Sequence, residues 1–393
     1  MSRVSPFVGL LFDPARVGPL DLITAPPYDV ISPQERSRYL DASPHNVVRL
    51  DLGEERPGDD EVSNKYRRAR DLLRSWREDG ALVPTDGPSY FPYEMRFSYH
   101  GRPRTIRGLV CQVELAGRGG SIVPHERTMA APVEDRLRLL RTVRANLSCI
   151  LAVLPGPCEP LADYLAAFDA VPPAASVVGE DGVEHRLWVR DPDPQVPDWF
   201  ADWSLMIADG HHRYTTALRY RDEMRAAHGP GPWDQVMMLV LDAAISDPPV
   251  LPLHRIQRSG PVPTMGRRVR DLEEVLDSVD DERLTFGVAG REDGLLVHRV
   301  AELDGEPPTV CRLHEGPLAD LDRELRFTPD AVEAEEAVRS GAAVAAYLLP
   351  PTSASRIRGV VDRGGRLPQK STYFWPKPRT GLVIRPLDRS EAG

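Results

Sequence analysis

Short apolar runs alternate along the chain with longer amphipathic stretches. The runs at 47–52, 90–97, 109–115, 150–154, 185–189, 205–207, 236–241 and 343–349 read as strands. Apolar positions recur at helical spacing over 33–41, 62–79, 133–145, 161–168, 215–228 and 330–339. The two kinds interleave without a regular βαβ alternation, which predicts an α+β or mixed α/β fold. Pro-rich or acidic connections at 54–60, 155–160, 192–197 and 246–252 read as loops or seams. The stretch 255–325 is charged, with apolar alternation at 284–288 and 295–298. The pattern predicts a main domain over 1–254, a smaller α+β part over 255–340, and a segment at 341–393 that returns to the main domain.

Composition narrows the partners. The formal net charge of the 393 residues is −10, which argues against a nucleic acid held by phosphate contacts. No apolar stretch approaches the ~20 residues of a membrane span. The first residues lack the basic region and apolar core of a signal peptide. The four cysteines form no C-x-x-C pair, and Cys111 and Cys149 lie in apolar runs. Buried, unpaired thiols fit a reducing compartment, so a cytoplasmic protein with a small-molecule partner is expected. The 39 prolines, about twice the usual ~5% share, stiffen loops between apolar runs.

The most informative segment is Ala208-Asp209-Gly210-His211-His212-Arg213-Tyr214. It follows a short buried-type strand and precedes a helix. Asp209 suits a helix cap, and Gly210 permits a backbone closed to other residues. Two imidazoles and a guanidinium then stand at a helix start, where backbone donors and the dipole favour an anion. A phosphate site is the expectation.

Three other segments offer chemistry. In Pro124-His125-Glu126-Arg127-Thr128, a base or metal ligand stands beside a phosphate contact. It is not H-E-x-x-H, because position 129 is Met, which excludes a zinc-protease reading. Ala25-Pro26-Pro27-Tyr28-Asp29-Val30-Ile31 is a rigid turn in which two prolines fix φ and hold Asp29 in place. In 367–377, Lys370 and Lys377 flank hydroxyls and three aromatics, a composition suited to a nucleotide. His254 is a further candidate for substrate contact or support. There is no P-loop, no protein-kinase signature set, no G-x-S-x-G elbow and no dinucleotide fingerprint before a helix.

Taken together and in order, Ala-Pro-Pro-Tyr-Asp-Val-Ile at 25–31, Pro-His-Glu-Arg-Thr at 124–128, Ala-Asp-Gly-His-His-Arg-Tyr at 208–214 and Gln-Lys-Ser-Thr-Tyr-Phe-Trp-Pro-Lys at 369–377 resemble the prokaryotic family catalogued as domain of unknown function 1015. The Asp-Gly-His-His-Arg turn is also similar, more loosely, to the turn of sulfiredoxin/ParB-like proteins, which include kinases of free serine. That likeness implies a sulfiredoxin/ParB-like core with large additions. It implies that Asp209, Gly210, His211, His212 and Arg213 form a phosphate-binding turn. By analogy with the glutamate base of those kinases, Glu126 is the candidate base.

The expected activity is a nucleotide-dependent phosphotransferase acting on a small hydroxylated metabolite, free L-serine first. ATP or ADP is the donor and Mg²⁺ the metal. Glu126, His125 and Asp209 are the catalytic candidates. Gly210, His211, His212, Arg213, Lys370 and Lys377 are expected on nucleotide or phosphate. Asp29, Arg127, Thr128 and His254 contact substrate or support the site, and Asp209 is a Mg²⁺ candidate. The alternatives are a metal-dependent phosphohydrolase, with His125, Glu126, Asp209, His211 and His212 as ligands, and a nucleotide-responsive module without catalysis.

Overall fold

A computed structural model describes residues 3–117, 120–126, 128–242, 245–306, 308–319, 325–368 and 370–388. The chain divides into two compact units. The first comprises 1–124, 128–247 and 376–393, and the second comprises 125–127 and 248–375. The sequence pattern puts the seams at 254/255 and 340/341.

The first unit is a mixed α/β structure on a large mixed sheet. Nine strands of this sheet are found among the described residues. Eight run in the spatial order Ile122–Pro124, Leu205–Asp209, Ile150–Leu154, Gln235–Asp242, Arg102–Glu114, Phe91–Tyr99, Glu184–Leu187 and Ala175–Val178. Val4–Ser5 also pairs with Arg102–Glu114. Two pairings are parallel, 122–124 with 205–209 and 150–154 with 235–242. The central strand Ile150–Leu154 is buried at every position, as a strand covered on both faces must be. One apolar cluster joins Leu109, Ala152, Ile207, Val240 and Tyr214. A second joins Leu10, Ile23, Val48, Leu73, Trp76 and Leu139.

Helix Pro33–Ala42 starts with a reciprocal Ser32/Glu35 capping box and Pro33 in its first turn. At Lys65–Glu78, the Asn64 side chain accepts the Tyr66 and Arg67 N–H groups. The segment at 47–52 is not the expected strand, for Val48–Asp51 is a short helix. The Asn46 side chain accepts the Val48 N–H at 2.9 Å and donates to the Leu22 carbonyl at 2.8 Å. That local bond starts a turn which apolar alternation does not reveal.

The last described residues complete this unit. Thr380 donates its N–H to Ala25 at 2.8 Å, Ile384 to Leu10 at 3.0 Å, and Arg385–Pro386 pairs with Ala145–Asn146. The buried Arg379 donates to Thr24 Oγ1 at 2.7 Å and to the Thr24 carbonyl at 3.0 Å.

The second unit is built on an antiparallel sheet in the order Arg267–Val269, Leu295–Glu302, Thr285–Glu292, Ala345–Leu348, His254–Gln257 and Leu325–Thr328. The alternation at 284–288 and 295–298 becomes its central hairpin. Helices Leu272–Ser278 and Ala331–Arg339 close a core of Ile256, Val275, Ala289, Ala334 and Leu348. Among the described residues, no helix is long and apolar enough to cross a membrane.

Candidate functional site

In the first unit, strand Leu205–Asp209 ends on Asp209 after a register shift at Ile207/Asp209. Gly210 has φ +93°, and a Cβ there would lie 3.0 Å from the Arg213 guanidinium. Backbone and space therefore both demand glycine. Helix His211–His228 starts at once, four residues earlier than its apolar spacing suggests, and ends at Gly229. Its N-cap is Gly210, with no side-chain cap. Asp209 therefore does not cap the helix, contrary to the expectation.

Asp209 holds two cations instead. Its Oδ2 accepts from Arg213 Nη2 at 2.6 Å, and its Oδ1 pairs with Lys377 Nζ. Lys377 Nζ also lies 3.5 Å from Asp29 Oδ2. Asp29 stands on the one-turn helix Tyr28–Val30, directly after Pro26-Pro27. The Ala25–Thr380 pairing brings the 376–380 stretch beside that turn. Three segments far apart in sequence thus meet at one ammonium group. The side chains of Lys377, Asp209 and Asp29 are 9%, 11% and 25% exposed, so the Asp209 pair is the better shielded.

A layer of buried polar groups lies behind these residues. Arg213 also donates to Ser148 Oγ at 2.9 Å and to the Cys149 carbonyl at 2.5 Å. Burial works against its charge, but Asp209 and Asp29 outweigh burial and raise its pKa. The side chain expected on phosphate is thus committed inside the protein. The Arg136 guanidinium lies 4.2 Å from the Tyr28 ring centroid, 3.0 Å from Asp51 Oδ1 and 2.6 Å from Asp135 Oδ2. Burial, then the charge of Asp29, pushes the Tyr28 hydroxyl above its usual range, so it stays a neutral phenol. Arg136, Asp51 and Ser148 escaped the sequence reading. One signal existed: Arg136 shares the buried stripe of Val133, Leu137 and Leu140, an odd place for a lone arginine.

His211 is buried. His212 Nε2 accepts the Met129 N–H at 3.1 Å, so that nitrogen carries no proton and the neutral ring is protonated on Nδ1. Thr128 belongs to the same unit and is half-buried.

His125, Glu126, Lys370 and His254 belong to the second unit. Glu126 Oε1 accepts from Ser371 N at 3.1 Å, Thr372 N at 3.0 Å and Thr372 Oγ1 at 2.8 Å. Its Oε2 accepts from Lys370 N at 3.3 Å. The fully buried His125 reaches Thr372 Oγ1 with Nε2 at 2.8 Å, and its carbonyl accepts the Leu367 N–H at 2.8 Å. His125 and Glu126 therefore pin the 367–372 stretch. His254 is a core residue whose Nδ1 accepts the Leu349 N–H at 3.1 Å. Burial, then Arg255, lowers its pKa to about 4 and keeps it neutral. Arg127 lies outside the described residues, as does Gln369.

Among the described residues, no group of three or more His, Cys, Asp or Glu side chains is placed to hold a metal. Within the first unit, Asp209, His211 and His212 form no such group. Nor does Asp209 fit Mg²⁺ as it stands, because both its oxygens already face cations.

The profile of the family described as "Protein of unknown function (DUF1015)" matches residues 4–322. The chain belongs to this family. No curated protein matches it. Among solved structures, a free serine kinase in complex with AMP is similar, with 12% identity over 72% of this chain and 93% of that one, at a TM-score of 0.40. A conserved hypothetical protein from Pyrococcus furiosus shows 14% identity over 68% and 93%, at 0.38. SbnI with C-terminal truncation, from Staphylococcus aureus, shows 13% over 71% and 87%, also at 0.38. Overlaps this loose do not establish a shared function.

Proposed function

We propose that this DUF1015 protein is a nucleotide-dependent phosphotransferase whose acceptor is a small hydroxylated metabolite, free L-serine first. The observation that carries this reading is Lys377 held between Asp29 and Asp209 at the start of the 211–228 helix. An uncapped helix start favours an anion. A lysine beside it, with two carboxylates to position it, suits a phosphoryl group that must be neutralised as it transfers. Phosphoryl transfer asks mainly for such positioning and charge stabilisation. The reading extends to the strand, turn and helix at 205–228 as a sulfiredoxin/ParB-like phosphate turn.

The roles follow from the contacts. The first backbone N–H groups of the helix and Lys377 take the terminal phosphates of ATP or ADP. Arg213 reaches no ligand in this reading: it holds Asp209, and Asp209 holds Lys377. Asp29 is the more open carboxylate and is assigned as base. The acceptor hydroxyl oxygen attacks the terminal phosphorus, its proton passes to Asp29, and the bond to the bridging oxygen breaks. The shortened nucleotide departs with the electron pair. General-base help of this kind contributes ~10²–10⁴-fold. No step is routed through Mg²⁺.

The test is incubation with ATP or ADP, Mg²⁺ and a pool of hydroxylated metabolites including L-serine, read by mass spectrometry. A gain of one phosphate on an acceptor, lost in Lys377→Met, supports the reading. Nucleotide binding without turnover on any acceptor would replace it with a binding module. Absence of nucleotide binding would end it.

A further inference from the structure

We infer that the first unit carries a second anion site, separate from the Lys377 centre, which binds a small molecule bearing two or more phosphoryl groups. The site is a cavity of about 890 Å³ along the seam of helices Lys65–Glu78 and Ala130–Val143. Six arginines line it: Arg67, Arg70, Arg74, Arg77, Arg141 and Arg144. Two acids, Glu78 and Asp388, line it as well. The arginines outnumber the acids by four on a chain whose net charge is −10. Four of the six have a carboxylate partner in the fold: Arg70 with Asp71, Arg74 with Glu78, Arg77 with Asp388 and Arg141 with Glu223.

The arginines are arranged as well as numerous. Positions 67, 70, 74 and 77 recur every three or four residues, so they lie on one face of their helix. At 1.5 Å per residue they form a row roughly 15 Å long. Arg141 and Arg144 approach from the end of the other helix. Arg144 closes that helix in a left-handed conformation, φ +52°, unusual for a residue with a side chain. Below the guanidinium groups the lining is apolar, from Leu73, Leu82, Val143 and Pro386. The volume lies in the range of small-molecule pockets, ~300–1,000 Å³.

Two arginines of the row are firmly paired, Arg77 with Asp388 at 2.9 Å and Arg141 with both oxygens of Glu223 at 2.5 and 2.8 Å, and the other pairs are looser. Arg74 and Glu78 are 3.7 Å apart and both 70% exposed, and Arg70 and Asp71 are nearly half exposed. Exposed pairs of this type contribute little. A phosphate that offers planar, bidentate acceptors to a guanidinium displaces them readily. Past Arg67 and Arg141 the lining is of mixed sign, with Glu55, Asp59, Asp60 and Glu61 set against Arg56, Lys65 and Arg138. Arginine is concentrated along the 67–77 row, which sets the length of the ligand. An apolar or planar body with clustered phosphoryl groups fits that length.

The experiment uses the full chain and two probes, inorganic tripolyphosphate and ATP, by titration calorimetry at 50 and 200 mM salt. Three proteins are compared: the native chain, Arg74→Gln/Arg144→Gln, and Lys377→Met. Both arginines are solvent-facing, so the double variant is expected to match the native protein in circular dichroism and melting. Tripolyphosphate should bind the native chain, weaken severalfold at the higher salt, lose at least tenfold affinity in the double arginine variant, and keep its affinity in Lys377→Met. ATP binding that follows the same pattern identifies a nucleotide as a ligand of this site. Two results overturn the inference: no tripolyphosphate binding at 50 mM salt, or binding lost in Lys377→Met but unchanged in the double arginine variant. The second would place the anion at the Lys377 centre, so the two sites stand or fall separately.

Discussion

Lys377→Met removes the ammonium group between Asp29 and Asp209 while keeping most of the side chain's bulk. Two contacts are lost, and they are unequal. The Asp209 pair joins side chains 9% and 11% exposed, and charge-assisted hydrogen bonds of that kind are worth ~1.5–3 kcal/mol. The Asp29 contact is long, 3.5 Å, and its carboxylate is a quarter exposed, so its share is ~0–1 kcal/mol. Asp209 keeps Arg213, which limits the damage. The expected loss is therefore ~1.5–4 kcal/mol. A double-mutant cycle isolates the shielded pair. Urea unfolding of the native protein, Lys377→Met, Asp209→Asn and the double variant should give a 377–209 coupling of ~1.5–3 kcal/mol. Raising salt from 0.05 to 0.5 M should change it little, because the pair is shielded from solvent. A coupling below ~0.5 kcal/mol, or one that salt removes, would mean that Lys377 is a surface lysine and that no built centre exists at this turn.

Arg213→Ala should destabilise the chain by ~3–5 kcal/mol in chemical denaturation, because it strands the shielded Asp209 carboxylate and empties a bonded pocket; a loss under 1 kcal/mol would mean the guanidinium is free for ligand after all. Asp29→Asn should cut turnover by ~10²–10⁴-fold with nucleotide affinity nearly unchanged, whereas Glu126→Gln should keep most turnover and lose ~1–2 kcal/mol of stability; the reverse pattern in steady-state kinetics would return the base to Glu126. His254 titrates at about 4 in the folded chain against an ordinary 6.5. Between those values the unfolded chain binds the extra proton, so this stability is complete above pH 6.5 and falls as pH drops toward 4. Unfolding free energies from pH 7 to 4 should show the native protein losing ~3 kcal/mol more than His254→Asn, which keeps an acceptor for the Leu349 N–H; parallel curves would refute the buried, neutral histidine.

Most of the strands and helices were legible because each carried its own period. Strands at 150–154 and 236–241 are continuous apolar runs, and 33–41 announces itself with Ser32, Pro33 and Glu35. The Asp-Gly-His-His-Arg turn was legible as a turn, since Gly210 adopts the positive φ that only glycine adopts easily. Which of its side chains face a ligand was not legible. Arg213 reads as a ligand contact in a one-dimensional pattern, and only its bonds to Ser148 and Cys149 show otherwise, whereas Arg136 was betrayed by its place in a buried stripe. The helix at 48–51 was missed because Asn46 acts through a side-chain bond to a carbonyl 24 residues away. The role of Lys377 depends on a backbone pairing, Ala25 with Thr380, that crosses nearly the whole chain.

That pairing also sets an order of events during synthesis. The sheet of the first unit is complete by residue 242, yet its residues 376–388 emerge only after the whole second unit has been made. Until then Asp209 has Arg213 but not Lys377, and the edges at Leu10, Ala25 and Asn146 wait for partners. Closing the first unit means bringing residue 380 back to residue 25. Chain entropy alone makes that slow, and a folded second unit shortens the effective loop by holding positions 248 and 375 in one body. A chain interrupted anywhere before Lys377 carries the signature turn, and even the sheet beneath it, but leaves Asp209 with Arg213 as its one described cation.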